Sequence, residues 1–501
     1  MIALRHDIDG QPSQYFDLDD RASITLEAES PLFNYQAIPG LKVYRFNLPN
    51  SRRNRAILQF AGEITNRNAV RTLSNVHLEV LGLHFNQGTL NIEGSTAGST
   101  VDAGPRSERY TVSFVSGAGD VAATLKETNL RDLLLGSETL NTNSFDGDAT
   151  SRNYCLATVK NPAFYGDANP DYGGYVNYYS GNSFQQNVDS NEHTVTPFPF
   201  VLPVLQAIAE LIGYRLAGDW LNQINSLCIY SNRALDQLDG AGLNSYQDTF
   251  PLVDQLPDMS CGAFLQALRS LFGLYLTFDV RKQQIGFHRL ADAVPVQNYL
   301  NADYAASEDY TLSPYQPDGF RISMGVDSSD ELYKRRSRRG TYFEIGAGEL
   351  KIASAAGTLN MLTEDDPRNP GTDWTIPQVE QPGTSEAFDT ENDIPLRLLW
   401  YGGLVGNYHR ASPYGGPHDI TFRQQYENNL YQTAWKDWIL HVRNQPTVQT
   451  NLNLNLTDLL NLDFSRKILL KNTAYFLEKY RVSVSQRGLG ATQVTLRKVS
   501  Y

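Results

Sequence analysis

The feature that most constrains this chain is a period-two alternation of apolar and polar residues, recurring in short runs from one end to the other. Ser23-Ile24-Thr25-Leu26-Glu27-Ala28, Lys42-Val43-Tyr44-Arg45-Phe46 and Val76-His77-Leu78-Glu79-Val80-Leu81 all show it, and Asn451-Leu452-Asn453-Leu454-Asn455-Leu456 is nearly perfect. Successive side chains of a strand point to opposite faces, so such a run lays one face on a core and turns the other to solvent or a neighbour. Further strands are expected at 320–324, 396–401, 467–470, 474–477, 480–485 and 492–499, with turns at Asn86-Gln87-Gly88, Lys471-Asn472-Thr473 and Gly488-Leu489-Gly490. Abundant Tyr, Phe and Gly (28, 22 and 38 residues) favour the same reading. The expected fold class is mainly β with some α (α+β).

Helical periodicity is concentrated in the middle. Leu205-Gln206-Ala207-Ile208 runs through Leu211 to Gly213. Sixty positions on, Leu265-Gln266-Ala267-Leu268 runs through Leu271 to Gly273. Each copy reads as an amphipathic helix stopped by a glycine able to take the left-handed C′ conformation, with a strand following directly. The second copy continues as a hairpin, 275–280 and 285–290 around a turn at 281–284, and Ser260 is its expected N-cap. A short helix is expected at 125–135 and a longer one at 422–443, with an apolar stripe through Tyr426, Leu430, Trp435, Trp438, Ile439 and Val442. The Tyr-, Asn- and Gly-dense stretch 154–196 reads either as an irregular ordered connection or as a surface contact loop. Residues 363–392, rich in Pro, Gly, Asp, Glu and Thr, read as a long loop.

With 501 residues, two to four domains are expected. A 41% hydrophobic and 19% charged composition allows a sizeable core. The net charge of −13 argues against general nucleic-acid binding, which needs concentrated Lys and Arg, yet suits a channel through which DNA slides without sticking. Cys155, Cys228 and Cys261 supply no disulfide framework or zinc spacing, and are expected as small buried thiols in a chain assembled in a reducing cytoplasm. The start, Met1-Ile2-Ala3-Leu4-Arg5, has no signal-peptide pattern, and no apolar run reaches the ~20 residues needed to span a bilayer.

No catalytic constellation stands out. Phosphate loops, His-Glu-x-x-His and Gly-x-Ser-x-Gly are missing, and the histidines (His6, His77, His84, His193, His288, His409, His418 and His441) are scattered. No catalytic, cofactor-binding or metal-binding residue is therefore assigned, and no cofactor is expected. Asp365 and Asp366 read as solvated charge. The run Lys334-Arg335-Arg336-Ser337-Arg338-Arg339, anomalous in an acidic chain, reads as a solvated loop, a contact to an acidic protein or a contact to nucleic acid.

Several segments together resemble the tail-hub (baseplate-hub) proteins of tailed phages, in the form found in phages of Bacteroidetes. They are Ile24 to Asn34 with Tyr44-Arg45-Phe46-Asn47-Leu48-Pro49 and Asn54; Pro197-Phe198-Pro199-Phe200 with Gly213 to Asp219 and Ile229-Tyr230-Ser231-Asn232; and Leu256-Pro257-Asp258-Met259-Ser260 with Phe264-Leu265, Phe272-Gly273-Leu274 and Phe278-Asp279. To these are added Trp374-Thr375-Ile376-Pro377, Arg397-Leu398-Leu399 and Tyr401-Gly402-Gly403, then Leu459 to Phe464, Lys467-Ile468 and Tyr475-Phe476-Leu477. The resemblance implies a homotrimer in which each subunit contributes two tail-tube-like β-barrels with an inserted helix-strand domain. The ring would match the tail tube on one side and a spike or fibre on the other, with distal tail or baseplate proteins around it, as in contractile injection systems and type VI secretion spikes. It implies a structural virion component of the tail, assembled in the bacterial host cytoplasm, serving host attachment and genome ejection, and not an enzyme. The expected domains are a first barrel at 1–150, an inserted α+β domain at 151–300 with the two helix-Gly-strand units, an irregular or β segment with the long loop at 301–395, and a helix plus C-terminal β domain completing the second barrel at 396–501.

Two other readings are weighed against it. A receptor- or carbohydrate-binding tail-tip protein would place aromatic platforms in exposed loops, with Tyr175, Tyr178, Tyr179, Trp400 and Tyr401 as candidates. A cell-wall hydrolase would need a carboxylate pair across a cleft, and the sequence singles out none.

Overall fold

The computed structural model describes the chain apart from residues 1, 9, 21, 36–40, 62–70, 97–108, 117, 141–147, 186–191, 239–243, 281, 315–318, 336–339, 407, 444, 461, 487, 500 and 501. It is mainly β with some α. The alternating runs of both chain ends belong to one 14-stranded sheet. From one edge its order is Gln14–Tyr15, Ile2–His6, Thr72–Val80, Leu83–Thr96, Arg109–Ser116, Leu41–Pro49 and Ser23–Glu29. It continues through Thr473–Ser485, Thr492–Lys498 and Thr447–Leu452 to Ala306–Ser313. Pairing along this path is antiparallel, and a side branch adds Lys467–Leu470 and, parallel to it, Tyr299–Asn301.

The two ends of the chain meet where Ser23–Glu29 lies against Thr473–Ser485, in register from Ser23↔Ser485 to Glu29↔Lys479. The alternation sets that register. Ile24, Leu26 and Ala28 are buried on one strand and Tyr480, Val482 and Val484 on the other, so a one-residue slip would turn either set to water. Lys479 Nζ closes the ladder on the solvent side, 2.8 Å from Glu27 and 3.2 Å from Glu29.

Between these ends sits a second core built by the helices. Val201–Leu211 buries Val204, Leu205 and Ile208, and Cys261–Phe272 buries Phe264, Leu265, Leu268, Leu271 and Phe272. The Ser260 hydroxyl accepts from the Ala263 amide, as expected of an N-cap. The two helix-strand units share one small sheet, in which Arg215–Ala217 runs parallel and Leu274–Asp279 antiparallel to Gln284–Arg289. Both terminal glycines are left-handed, Gly213 at φ +71 and Gly273 at φ +59. Only Gly273 is also crowded, since a Cβ there would lie 2.6 Å from the Ala434 carbonyl oxygen.

Several expected elements are displaced. The helix expected at 125–135 runs Ala118–Glu127, and Asn129 then caps a separate 3-10 turn, Leu130–Asp132. Helix at 422–443 begins only at Tyr431, as a π turn to Trp435 followed by Lys436–Arg443, because Asn429 captures the Gln432 amide and starts the helix there. The loop expected at 363–392 instead opens in a hairpin, Asn360–Asp365 against Asp373–Gln378, inside a five-stranded sheet. Trp374 and Ile376 point into a core there, an alternation hidden by the surrounding Pro, Gly and Asp. The run at 451–456 is strand only to Leu452, after which a short helix, Leu456–Leu460, follows, although burial still alternates through Leu454. Strands expected separately at 474–477 and 480–485 are one strand, Thr473–Ser485. Residue 281 of the expected hairpin turn lies outside the described residues, and its neighbour Gln283 takes φ +50.

The two matched glycines provide a test. Gly213→Ala should cost about 1–2 kcal/mol, the price of a left-handed Cβ. Gly273→Ala should cost clearly more, because the close carbonyl adds to the same backbone strain. Urea unfolding of both variants measures the difference, and equal losses would contradict the crowding.

Candidate assembly surface

The large sheet ends differently at its two edges. At the Gln14–Tyr15 end the edge is short and occupied: the Phe16 amide donates to the Leu4 carbonyl at 2.9 Å, and Gln486 Nε2 donates to the Ile2 carbonyl at 3.3 Å. At the other end, Ala306–Ser313 pairs only with Thr447–Leu452, and no strand among the described residues pairs with its outer edge. Tyr310 lies opposite Thr450 and Leu312 opposite Val448. Cross-strand partners share a face. That face carries buried Thr450 and Leu452, and Val448 packs against the sheet core. The core face of the sheet thus continues onto its last strand and is left uncovered there, with Tyr310 64% and Leu312 59% exposed. Tyr304, one turn earlier, is 62% exposed, its hydroxyl held by Asp458. A long edge with apolar side chains and unpaired backbone groups is what a soluble monomer avoids.

This strand falls in the segment expected to be irregular or β, at positions where no particular strand was placed. A signal was present: Tyr310-Thr311-Leu312 is β-prone and bounded by Pro314. Glu308 and Asp309 beside it obscure the alternation.

Elsewhere the polar groups pair with one another. Arg397 is buried with its guanidinium 2.6 Å from Asp327 and 3.2 Å from Asp330. Burial would push the Asp327 carboxyl up, but Ser329 and the Arg397 guanidinium outweigh it and hold it below the ordinary carboxylate range. Asp366, expected as solvated charge, instead accepts from Arg368, which holds its carboxyl down. The same guanidinium lies over the rings of Trp374 and Tyr408 at 4.4 and 4.9 Å. Asp365 remains exposed at the end of its strand. His77 and His84 meet at 3.0 Å, with Asp7 3.2 Å from the far side of His77. Among the described residues no three His, Cys, Asp or Glu side chains converge as a metal-ligand set. Cys155, Cys228 and Cys261 are free and buried. Among the described residues no helix is long and apolar enough to cross a membrane.

The candidate sugar platforms are not platforms. Tyr175, Tyr179, Trp400 and Tyr401 are buried and Tyr178 is half-buried. Tyr175 stacks on Trp374, and the Trp400 indole donates to the His418 carbonyl, so these rings fill cores. Of the basic run, Lys334 pairs with Glu331 and Arg335 with Glu380, while 336–339 lie outside the described residues.

No protein-family model matches the chain, and no curated protein matches it. Solved structures that it resembles include tail proteins. They include a tail protein from Neisseria meningitidis (9% identity, TM-score 0.37, 99% of this chain and 95% of that one) and the 43 kDa tail protein of prophage MuSo2 from Shewanella oneidensis (9%, 0.35, 99% and 95%). A third is a type VI secretion component of E. coli, described as structurally similar to T4 bacteriophage tail proteins gp27 and gp5 (9%, 0.29, 96% and 74%). Likeness at this level assigns neither family nor partner to this chain.

The buried histidines make the fold acid-sensitive. Burial pushes His193, His418 and His441 down to about 4 from the ordinary 6.5. The unfolded chain therefore takes up protons first, so this stability is complete above pH ~6.5 and is lost as pH falls towards 4. The ceiling is ~3 kcal/mol per histidine. His441→Phe, which keeps an aromatic ring beside Trp438 and Phe476, should flatten the fall in unfolding free energy between pH 6.5 and 4 by about one proton. An unchanged slope would rule His441 out as a contributor.

Proposed function

We propose that this chain is a structural subunit of a phage-type tail, a baseplate or tail-tip hub that acts by association and not by catalysis. The observation that carries the proposal is the uncovered core face on Ala306–Ser313, where Tyr310 and Leu312 extend the sheet interior to an open edge. Burying these two side chains against a neighbour contributes about 1.5–3 kcal/mol each, before any backbone hydrogen bonds. The second sheet edge is of a different kind, so the contact is heterologous: the open edge of one copy meets another surface of the next. Such contacts close into a ring or run on as a filament.

In this reading the ring is a homotrimer, of the form that the sequence motifs share with Bacteroidetes phages. Residues 1–150 and 396–501 contribute the two tube-like units, and 151–300 and 301–395 are carried as insertions. The Ser23–Glu29 ladder with Thr473–Ser485 supports two units side by side. Ala306–Ser313, from the 301–395 segment, and Tyr299–Asn301, at the junction of 151–300 with it, add to the C-terminal unit. The partners are the tail tube, distal tail or baseplate proteins, and a spike or fibre. The charge of −13 suits passage of DNA without specific binding, in a virion tail assembled in the host cytoplasm. Contiguous sheets around an axis would give each copy one open edge to offer and one surface to receive, which is the arrangement the unequal edges provide.

Native mass measurement, paired with imaging of the purified protein, tests this. We expect three-fold rings. The double variant Tyr310→Asp, Leu312→Asp should release monomers whose own stability changes by no more than about 0.5 kcal/mol, since both side chains are already exposed. A wild-type chain that stays monomeric at every concentration would sink the proposal.

A further inference from the structure

Three titratable side chains line up beside the closed edge of the large sheet, on the face that points away from its core. In Ile2–His6 and Thr72–Val80 the core takes Ile2, Leu4, Val76, Leu78 and Val80. Arg5, His77 and Glu79 therefore share the other face, with Arg5 opposite His77 and His84 opposite Glu79. His77 is nonetheless buried there. Its Nε2 lies 3.2 Å from Asp7 Oδ2 and 3.2 Å from Asn75 Oδ1, and its Nδ1 lies 3.0 Å from His84 Nε2. The Asn75 amide is oriented by its own neighbours: Nδ2 donates to the Asp7 carbonyl at 3.0 Å, and Oδ1 accepts from Gln87 Nε2 at 2.7 Å. Two acceptors thus face His77 Nε2, which must carry a hydrogen in every charge state. Nδ1 of the neutral ring is then an acceptor, and His84 donates to it through Nε2–H.

The surrounding charges set how many protons this chain of groups can hold. Arg5 is shared between Asp7 at 3.1 Å and Glu79 at 3.3 Å, one cation against two carboxylates. Asp7 Oδ1 is buried with no donor among the described residues. The neighbouring His6 is held down by burial, with Asp7 opposing. A first proton on His77 Nδ1 balances the cluster. It sits between the Asp7 carboxylate and His84, whose Nε2 turns acceptor as its other nitrogen takes the hydrogen. A second proton has no place, because both facing nitrogens would then carry hydrogen at 3.0 Å. His77 is tied by Asp7 and Asn75, so the half-buried His84 is the ring that can leave.

We propose that Asp7, His77 and His84 form an acid-operated clasp that ties the end of Ile2–His6 to the hairpin of Thr72–Val80 and Leu83–Thr96. It stores one proton with the rings in contact, and opens when a second drives His84 out to water. Burial lowers His77 from its ordinary value, with Asp7 opposing and Arg5 and His84 adding to the effect. The first step therefore falls below pH ~6.5, and the second at least about one unit lower. The clasp is separate from the Ala306–Ser313 edge and does not rest on the ring.

Nitrogen NMR of the imidazoles in the full chain, assigned with His77→Gln and His84→Gln, reads the tautomers. Above the first step both rings should be Nε2–H. Across it His77 should take the charge while His84 passes to Nδ1–H. Hydrogen exchange, expressed as protection factors to remove the intrinsic effect of pH, should then fall about tenfold or more at 83–87 in the second step, while the ladder strand 23–29 keeps its protection. His84→Gln offers a neutral Nε2 donor that cannot charge, so this loss should vanish. Rings that charge independently with no change of tautomer overturn the proposal, as does opening that persists unchanged in His84→Gln. Loss of protection in the hairpin and the ladder at the same pH also overturns it, since that is general acid unfolding.

Discussion

The rest of the molecule depends on the ladder between Ser23–Glu29 and Thr473–Ser485. It joins strands more than 440 positions apart in the sequence and makes one sheet out of the two chain ends. Closing so long a loop is costly in chain entropy, but the cost grows only logarithmically with length, and a seven-residue register with apolar residues buried on both strands offsets it. The consequence is architectural. The elements from Ala118–Glu127 to Leu290–Ala293, and from Gly319–Ser323 to Lys436–Arg443, fall between strands of this sheet in the sequence and pack into cores of their own.

The helical core is nevertheless fastened to that sheet, immediately after the first strand of the ladder. Arg269, on the Cys261–Phe272 helix, donates to the Pro31 carbonyl at 3.0 Å and to that of Asn34. Burial lowers its guanidinium to about 10, a measure of how little water reaches it. Trp438 Nε1 donates to the Tyr35 hydroxyl at 2.8 Å, and Phe33 packs on the Trp438 ring at 5.1 Å. One short stretch after Glu29 thus receives side chains from two helices far apart in sequence. The ladder fixes where residues 30–35 lie, and these in turn position the helices.

How much of this was legible follows from how local each signal is. Alternation in 23–28, 42–46 and 76–81 found the strands, and the Leu-Gln-Ala…Gly echo found two helices whose following strands share one sheet. A cap, a left-handed glycine and a period are all written within a few residues of the element they define. What the sequence concealed was decided from a distance. Residues 363–392 look like a loop because Pro, Gly and Asp are dense there, yet Trp374 and Ile376 find a core supplied by Tyr175 and its neighbours. Tyr175, Tyr179, Trp400 and Tyr401 look like surface platforms until the sheets that cover them are in place. The edge strand at Ala306–Ser313 was missed for the converse reason: Tyr310 and Leu312 stay largely exposed, and Glu308 and Asp309 beside them interrupt the alternation that a buried strand would show.

An exposed apolar edge of this kind has to be tolerated by the free chain. Glu308 and Asp309 precede Tyr310 on the same strand, and the chain carries a net charge of −13. Like charges on each copy oppose indiscriminate edge-to-edge pairing at low ionic strength, and a charged edge is one of the devices by which sheet proteins stay apart. The apolar pair next to it acts only when a complementary surface arrives in register. Charge governs which encounters last, and the uncovered core face governs how strongly they hold. The balance shifts with salt, because screening weakens the repulsion and leaves the apolar burial almost untouched. An edge built this way would stay open in isolation and close against a fitted neighbour, as the proposed ring requires of its parts.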